Sequence, residues 1–205
     1  MTNSLPVEQL MSDYRAFGGY ARELGDISHP HRQPQTAIAV LAGWLSELEI
    51  RWPGPEEAGR DTARLVLIQA LNRRESRKSA AIPALLGQFD RDKTIFENAR
   101  WSAGSALYDI PADDSYFDDL AAIAQDRSLG SARQMIVNWL GKSRRPEAIG
   151  IAVAQLNDET VQGHALEALA KLRAQGVRDH VEPFAASKNA WHRRTAQRIL
   201  RNLAD

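Results

Sequence analysis

The chain has 205 residues, 26 basic and 26 acidic side chains, and no cysteine, which suits one domain or at most two and excludes a disulfide framework, a thiolate zinc site, an iron–sulfur cluster and a cysteine nucleophile. Its 43% apolar and 25% charged residues are those of a folded globular chain, without the ~18 consecutive apolar residues of a membrane span or, in Met1-Thr2-Asn3-Ser4-Leu5-Pro6, the basic and apolar regions of a secretory signal, so a cytoplasmic location is expected. A net charge of zero argues against nucleic acid as the general partner and leaves room for a local basic patch.

Helices are expected throughout. Alanine occurs 31 times and leucine 21, against 8 valines and 12 isoleucines, a bias toward helix over strand. Apolar residues recur at spacings of three and four rather than in alternation. The first helix is predicted over residues 7–24, with Leu10, Tyr14, Phe17 and Ala21 on one face and Gly25-Asp26 as its stop. A loop with His29-Pro30-His31 follows, in which the two histidines would chelate a metal only with ligands from elsewhere. The second helix is predicted over 34–49, with Ile38, Leu41, Leu45 and Leu48 on its apolar face. Trp52-Pro53-Gly54-Pro55 breaks the chain, and a third helix is predicted over 56–74, carrying Ala63, Leu67, Ala70 and Leu71.

From residue 80 the chain repeats itself. Segments 99–107, 132–140, 161–169 and 192–200 align on Leu107, Leu140, Leu169 and Leu200. Four positions before these anchors stand Ala103, Ile136, Ala165 and Ala196; three after stand Ile110, Ser143, Leu172 and Leu203. This row reads as a buried helix stripe with Ser143 its polar exception. Seven positions before the anchors stand Arg100, Arg133, Gln162 and Arg193. Each segment follows another amphipathic stretch, at 81–89, 116–124, 148–156 and 180–186, across a short polar turn. One such pair cannot bury its apolar faces alone, whereas stacked pairs share a core. The expected fold is therefore all-α: one α-solenoid domain over 1–205, with divergent N-terminal helices over 1–79 and four repeats of antiparallel helix pairs over 80–205.

The run Ala148-Ile149-Gly150-Ile151-Ala152-Val153-Ala154-Gln155-Leu156-Asn157-Asp158, followed by 161–172, is an apolar first helix, an Asn/Asp turn and an alanine- and leucine-rich second helix. It resembles the bacterial, armadillo-like form of the HEAT-repeat family over residues 80–203. Trp139, in place of a small residue before its anchor, and Gln162, in place of the repeat arginine, depart from the pattern. The resemblance implies a non-enzymatic scaffold that grips a protein partner on a concave face lined by the second helices. An immunity protein against a toxin and a regulatory subunit are two such roles.

The exposed row of the second helices lies six and two positions before each anchor and two after. It comprises Trp101, Ser105 and Asp109; Gln134, Asn138 and Lys142; Gly163, Glu167 and Lys171; and Arg194, Arg198 and Asn202. From it, Trp101, Gln134, Asn138, Lys142, Glu167, Lys171, Arg194 and Arg198 are the candidate partner-binding residues, since tryptophan and arginine often dominate interfaces. The aspartates at 109, 113, 114, 118 and 119 read either as an acidic binding edge or as a solvated loop with a favourable helix N-terminus, where they can also cap the helix that starts near Tyr116. The arginines at 193, 194, 198 and 201 read either as the polar face of a terminal helix or as an anion contact.

No phosphate loop, dinucleotide fingerprint, zinc-protease motif or nucleophile elbow is present. No catalytic residue, metal or cofactor is expected. The alternative is a HEAT-like DNA glycosylase, with Trp101, Trp191, Arg133 and Arg194 lining a groove, and its difficulty is the missing basic balance. A chromophore-lyase or ligand-modifying role, found in some HEAT-repeat families, has no marker here. His164 is expected to pack or to face a groove, and His180 and His192 to be exposed.

Overall fold

A computed structural model describes residues 5–29, 34–110 and 113–203. All regular structure among them is helical: twelve α-helices joined by turns and short 3₁₀ segments, with no strand. None of these helices is long and apolar enough to cross a membrane. The chain divides into two compact units, Met1–Ala112 and Asp113–Asp205.

The first unit holds α1 (Leu5–Ala16), α2 (Ile38–Ser46), α3 (Leu48–Arg51), α4 (Ala58–Leu71), α5 (Ala81–Leu86) and α6 (Glu97–Asp109). The first helix ends eight residues before its predicted stop at Leu24. Gly18 adopts φ 85°, a left-handed conformation open to glycine at little cost, and the chain turns there. Leu10 and Tyr14 are buried as expected, but Phe17, past the helix end, is exposed, and Ala21 is buried from a separate segment. The predicted second helix is split into a 3₁₀ turn, α2 and α3; its apolar face of Ile38, Leu41, Leu45 and Leu48 is buried throughout. His29 is exposed, and His31 lies outside the described residues.

Charged side chains complete this core. Arg64, on α4, is fully buried. Its Nε donates to Glu56 Oε1 at 2.9 Å, its Nη2 to Glu49 Oε1 at 2.7 Å and its Nη1 to Gln88 Oε1 at 2.7 Å. Arg60 pairs with Glu56 and donates from Nη1 to the carbonyls of Trp52 and Gly54, both at 2.8 Å. The break at Trp52-Pro53-Gly54-Pro55 is thus pinned by a buried guanidinium. Burial alone would raise the Glu49 carboxyl; the Arg64 hydrogen bond and the charges of Arg64 and Lys93 hold it below its ordinary value.

The second unit holds α7 (Phe117–Gln125), α8 (Gln134–Trp139), α9 (Glu147–Ala154), α10 (Gln162–Leu172), α11 (Arg178–Val181) and α12 (Ala190–Arg201). Here α7 packs on α9, while α8 packs on α10 and α10 on α12. The second helices of successive pairs therefore lie side by side. The predicted stripe is buried at Ile136, Leu140, Ala165, Leu169, Ala196 and Leu203, as it is at Ala103, Leu107 and Ile110 of the first unit. Leu172 and Leu200 are half-buried. Ser143, the polar exception, is buried and donates from Oγ to Asp114 Oδ1 at 2.7 Å, so its hydroxyl is satisfied inside. Trp139 is also buried, its ring tilted against Phe117 at 6.4 Å.

The arginine row has one task. Arg100 donates to the carbonyls of Gln88, Asp90 and Lys93, Arg133 to that of Ala124, and Arg193 to that of Ser187. Each guanidinium, on or directly before a second helix, reaches back either to the last turn of the preceding first helix, as at Ala124, or to the connection that follows it, as at Gln88, Asp90, Lys93 and Ser187, where carbonyls lack intrahelical partners. Where Gln162 interrupts the row, Arg133 of the preceding pair holds Asp158 of the turn. Arg133 Nη1 also donates to Gln155 Oε1 at 2.8 Å, repeating the Arg64–Gln88 pairing of the first unit.

Candidate functional site

The side chains of α12 are set by its first turn. Asn189 caps the helix, its Oδ1 accepting from the backbone N–H groups of Trp191 at 2.9 Å and His192 at 3.4 Å. Trp191 is thereby placed over α10. Its ring occupies the space that a Cβ at Gly163 would take, 2.3 Å from the ring carbon Cζ3. His164 packs against it in a T-shaped arrangement at 5.3 Å between centroids, and His192 flanks it at 5.5 Å. Trp191 remains 37% exposed.

Glu167 ties this arrangement together. Its Oε1 accepts from Trp191 Nε1 at 3.0 Å and from Thr195 Oγ1 at 2.9 Å; its Oε2 accepts from Arg198 Nη2 at 2.7 Å. Partial burial alone would raise its carboxyl, but these three donors hold it below the ordinary glutamate value. Glu167 is therefore an ionised carboxylate whose oxygens are committed to its neighbours. Beside it, Arg194, Arg198 and Arg201 line an open groove of about 370 Å³ with Trp191 and Thr195. Arg194 and Arg201 form no ion pair with a described residue.

On α8 and α10 the predicted residues also meet. Lys171 Nζ donates to Asn138 Oδ1 at 2.6 Å, and Gln134 Nε2 donates to the Thr160 carbonyl at 2.9 Å. Lys142 is exposed in the 3₁₀ turn that follows α8. Two polar pairs, Asn138–Lys171 and Glu167–Arg198, therefore join α8 to α10 and α10 to α12. Trp101 belongs to the first unit, on α6, and is 40% exposed.

Three expectations are corrected. Gly163 is buried rather than part of the exposed row, because Trp191 covers it. His192 is buried, not exposed, packed between Trp191 and Phe184. Arg133, a groove residue in the glycosylase alternative, is fully buried and spent on Ala124, Gln155 and Asp158. His180 is exposed, as expected, and His164 is half-buried against Trp191. Burial lowers the proton affinity of His164 and of His192.

Three of the five aspartates between 109 and 119 serve local structure. Asp113 caps the turn before α7 by accepting from Ser115 N–H, and Asp114 accepts from Ser143 and the Arg144 N–H. Asp109 accepts from Asn72 Nδ2 at 3.0 Å, while Asp118 and Asp119 are exposed. Among the described residues no three His, Asp or Glu side chains converge in the manner of a metal site. Comparison with protein-family models, with curated proteins and with solved structures finds no match for this chain.

Proposed function

We propose that this protein is a non-enzymatic protein-binding module of HEAT-like helix pairs, and that the face formed by α8, α10 and α12 receives its partner. The supporting observation is the preorganisation of that face. A half-exposed tryptophan is held by a hydrogen bond, a glycine seat and two imidazoles, next to a row of arginines. Rigid aromatic and arginine side chains contribute most to protein interfaces, because little freedom is lost when the partner arrives. Toxin neutralisation and regulation of a partner enzyme are the two roles we assign to such a module.

The test is affinity capture from the source organism at moderate salt, followed by light scattering on the recovered complex. The expected result is one stoichiometric protein partner, whose binding Arg194→Glu weakens by about 10-fold or more without lowering the melting temperature. A toxin as that partner selects the immunity role. Recovery of nucleic acid alone, or of no partner, overturns the reading.

A further inference from the structure

The groove on α12 carries more information than its exposure. Arg194, Arg198 and Arg201 stand at i, i+4 and i+7, a spacing that aligns three guanidiniums along one helix face over roughly 10 Å. The one carboxylate among the described residues of the groove, Glu167, is committed to Trp191, Thr195 and Arg198. It leaves Arg194 and Arg201, one at each end of the row, with no described acidic partner. A groove with one engaged carboxylate and three arginines is electropositive and suited to an anion. The groove also includes Trp191, which is 37% exposed and offers an apolar surface that inorganic anions do not use.

Building on the protein-binding reading, we propose that this groove takes an acidic segment of the partner, with an apolar or aromatic side chain adjoining its carboxylates. The carboxylates pair with Arg194 and Arg201, for which guanidinium geometry offers two-pronged hydrogen bonding. The apolar side chain rests on Trp191. Nucleic acid fits less well. Its affinity grows with the number of phosphates neutralised, and here the basic row is confined to one helix of a chain with no net charge.

The test uses the full chain and needs no knowledge of the natural partner. The probe is a synthetic peptide with one phenylalanine followed by four glutamates, beside its glutamine counterpart and a thymidine oligonucleotide. The readout is the Trp191 indole N–H resonance, assigned by its loss in Trp191→Phe. The acidic peptide should shift that resonance saturably, and added salt should reverse the shift. Arg194→Ala/Arg201→Ala, which leaves the Arg198–Glu167–Trp191 contacts in place, should weaken binding about tenfold. Arg144→Ala/Lys188→Ala, which removes equal charge outside the groove, should not.

Equal binding of the glutamine peptide, tighter binding of the oligonucleotide, equal loss in the control variant, or no shift at Trp191 would each overturn the inference. Failure here and failure of the broader reading are distinguishable. A stoichiometric natural complex that is indifferent to Arg194→Ala/Arg201→Ala removes the acidic segment and leaves the protein-binding module standing.

Discussion

A Cβ atom at position 163 would lie 2.3 Å from the Trp191 ring and 2.8 Å from His192 Nε2, closer than packed atoms approach. The smallest side chain on α10 thereby decides where the largest on α12 sits. Gly163→Ala should push the indole out of its seat, break the Nε1–Glu167 bond and cost roughly 1–3 kcal/mol, the range for overpacking. The indole N–H resonance and the urea midpoint report the two effects separately; an unmoved resonance would mean that the ring is not held this way. This dependence was hidden in the sequence, because nothing in the local pattern relates residue 163 to residue 191. The exposed-row rule placed Gly163 outside for the same reason: it treats a helix alone, and the neighbouring helix covers that position. Buried arginines teach the same lesson. Arg64 and Arg133 are fully buried, and the carboxylate, amide and carbonyl groups that satisfy them come from other elements of the chain.

Elements were the most legible level. Apolar residues at spacings of three and four put Leu169 in a buried stripe, and it is fully buried on α10. Leu169→Ala should therefore cost roughly 2–5 kcal/mol in urea unfolding. Leu200→Ala, at a half-buried anchor on the last described helix, should cost clearly less. Equal losses would contradict the difference in packing. Element ends were less legible. The first helix stops at Ala16 because Gly18 supplies a conformation that releases the chain, whereas an apolar spacing through Phe17 and Ala21 imitates a continuing helix. The arginine row extends further toward the N-terminus than the leucine anchors do. Arg64 stands seven positions before Leu71, the relation that Arg133 has to Leu140, and each donates to a glutamine at the end of the next first helix, Gln88 or Gln155. An alignment on leucines begins too late in the chain to include that N-terminal copy.

For the whole molecule, the formal net charge is zero at neutral pH, and the first part of the acid response comes from individual buried groups. His164 and His192 have folded-state proton affinities below that of an exposed imidazole, because burial disfavours the cation. With the unfolded value near 6.5, the unfolded chain binds protons first. The histidines' contribution to stability is constant above that pH and is lost as pH drops through it toward the lower folded values. Glu49, Asp158 and Glu167 are shifted down, so their contribution is lost only below the unfolded carboxylate range near 4. The urea midpoint should therefore decline between about pH 7 and about pH 5, before the carboxylate loss begins, and His164→Gln should flatten part of that decline. A midpoint constant over this window would show that the imidazoles take up protons freely in the folded state.

Composition and periodicity sufficed for the all-helical class, the pairing of helices after residue 80 and most of the buried stripe. Those features depend on which residues recur along one helix, and recurrence is written in the chain itself. The division into two units, the burial of Arg133 and His192, and the seat of Trp191 on Gly163 depended on tertiary packing. Each is set by atoms distant in sequence, where steric fit and hydrogen-bond geometry, rather than local spacing, determine the position.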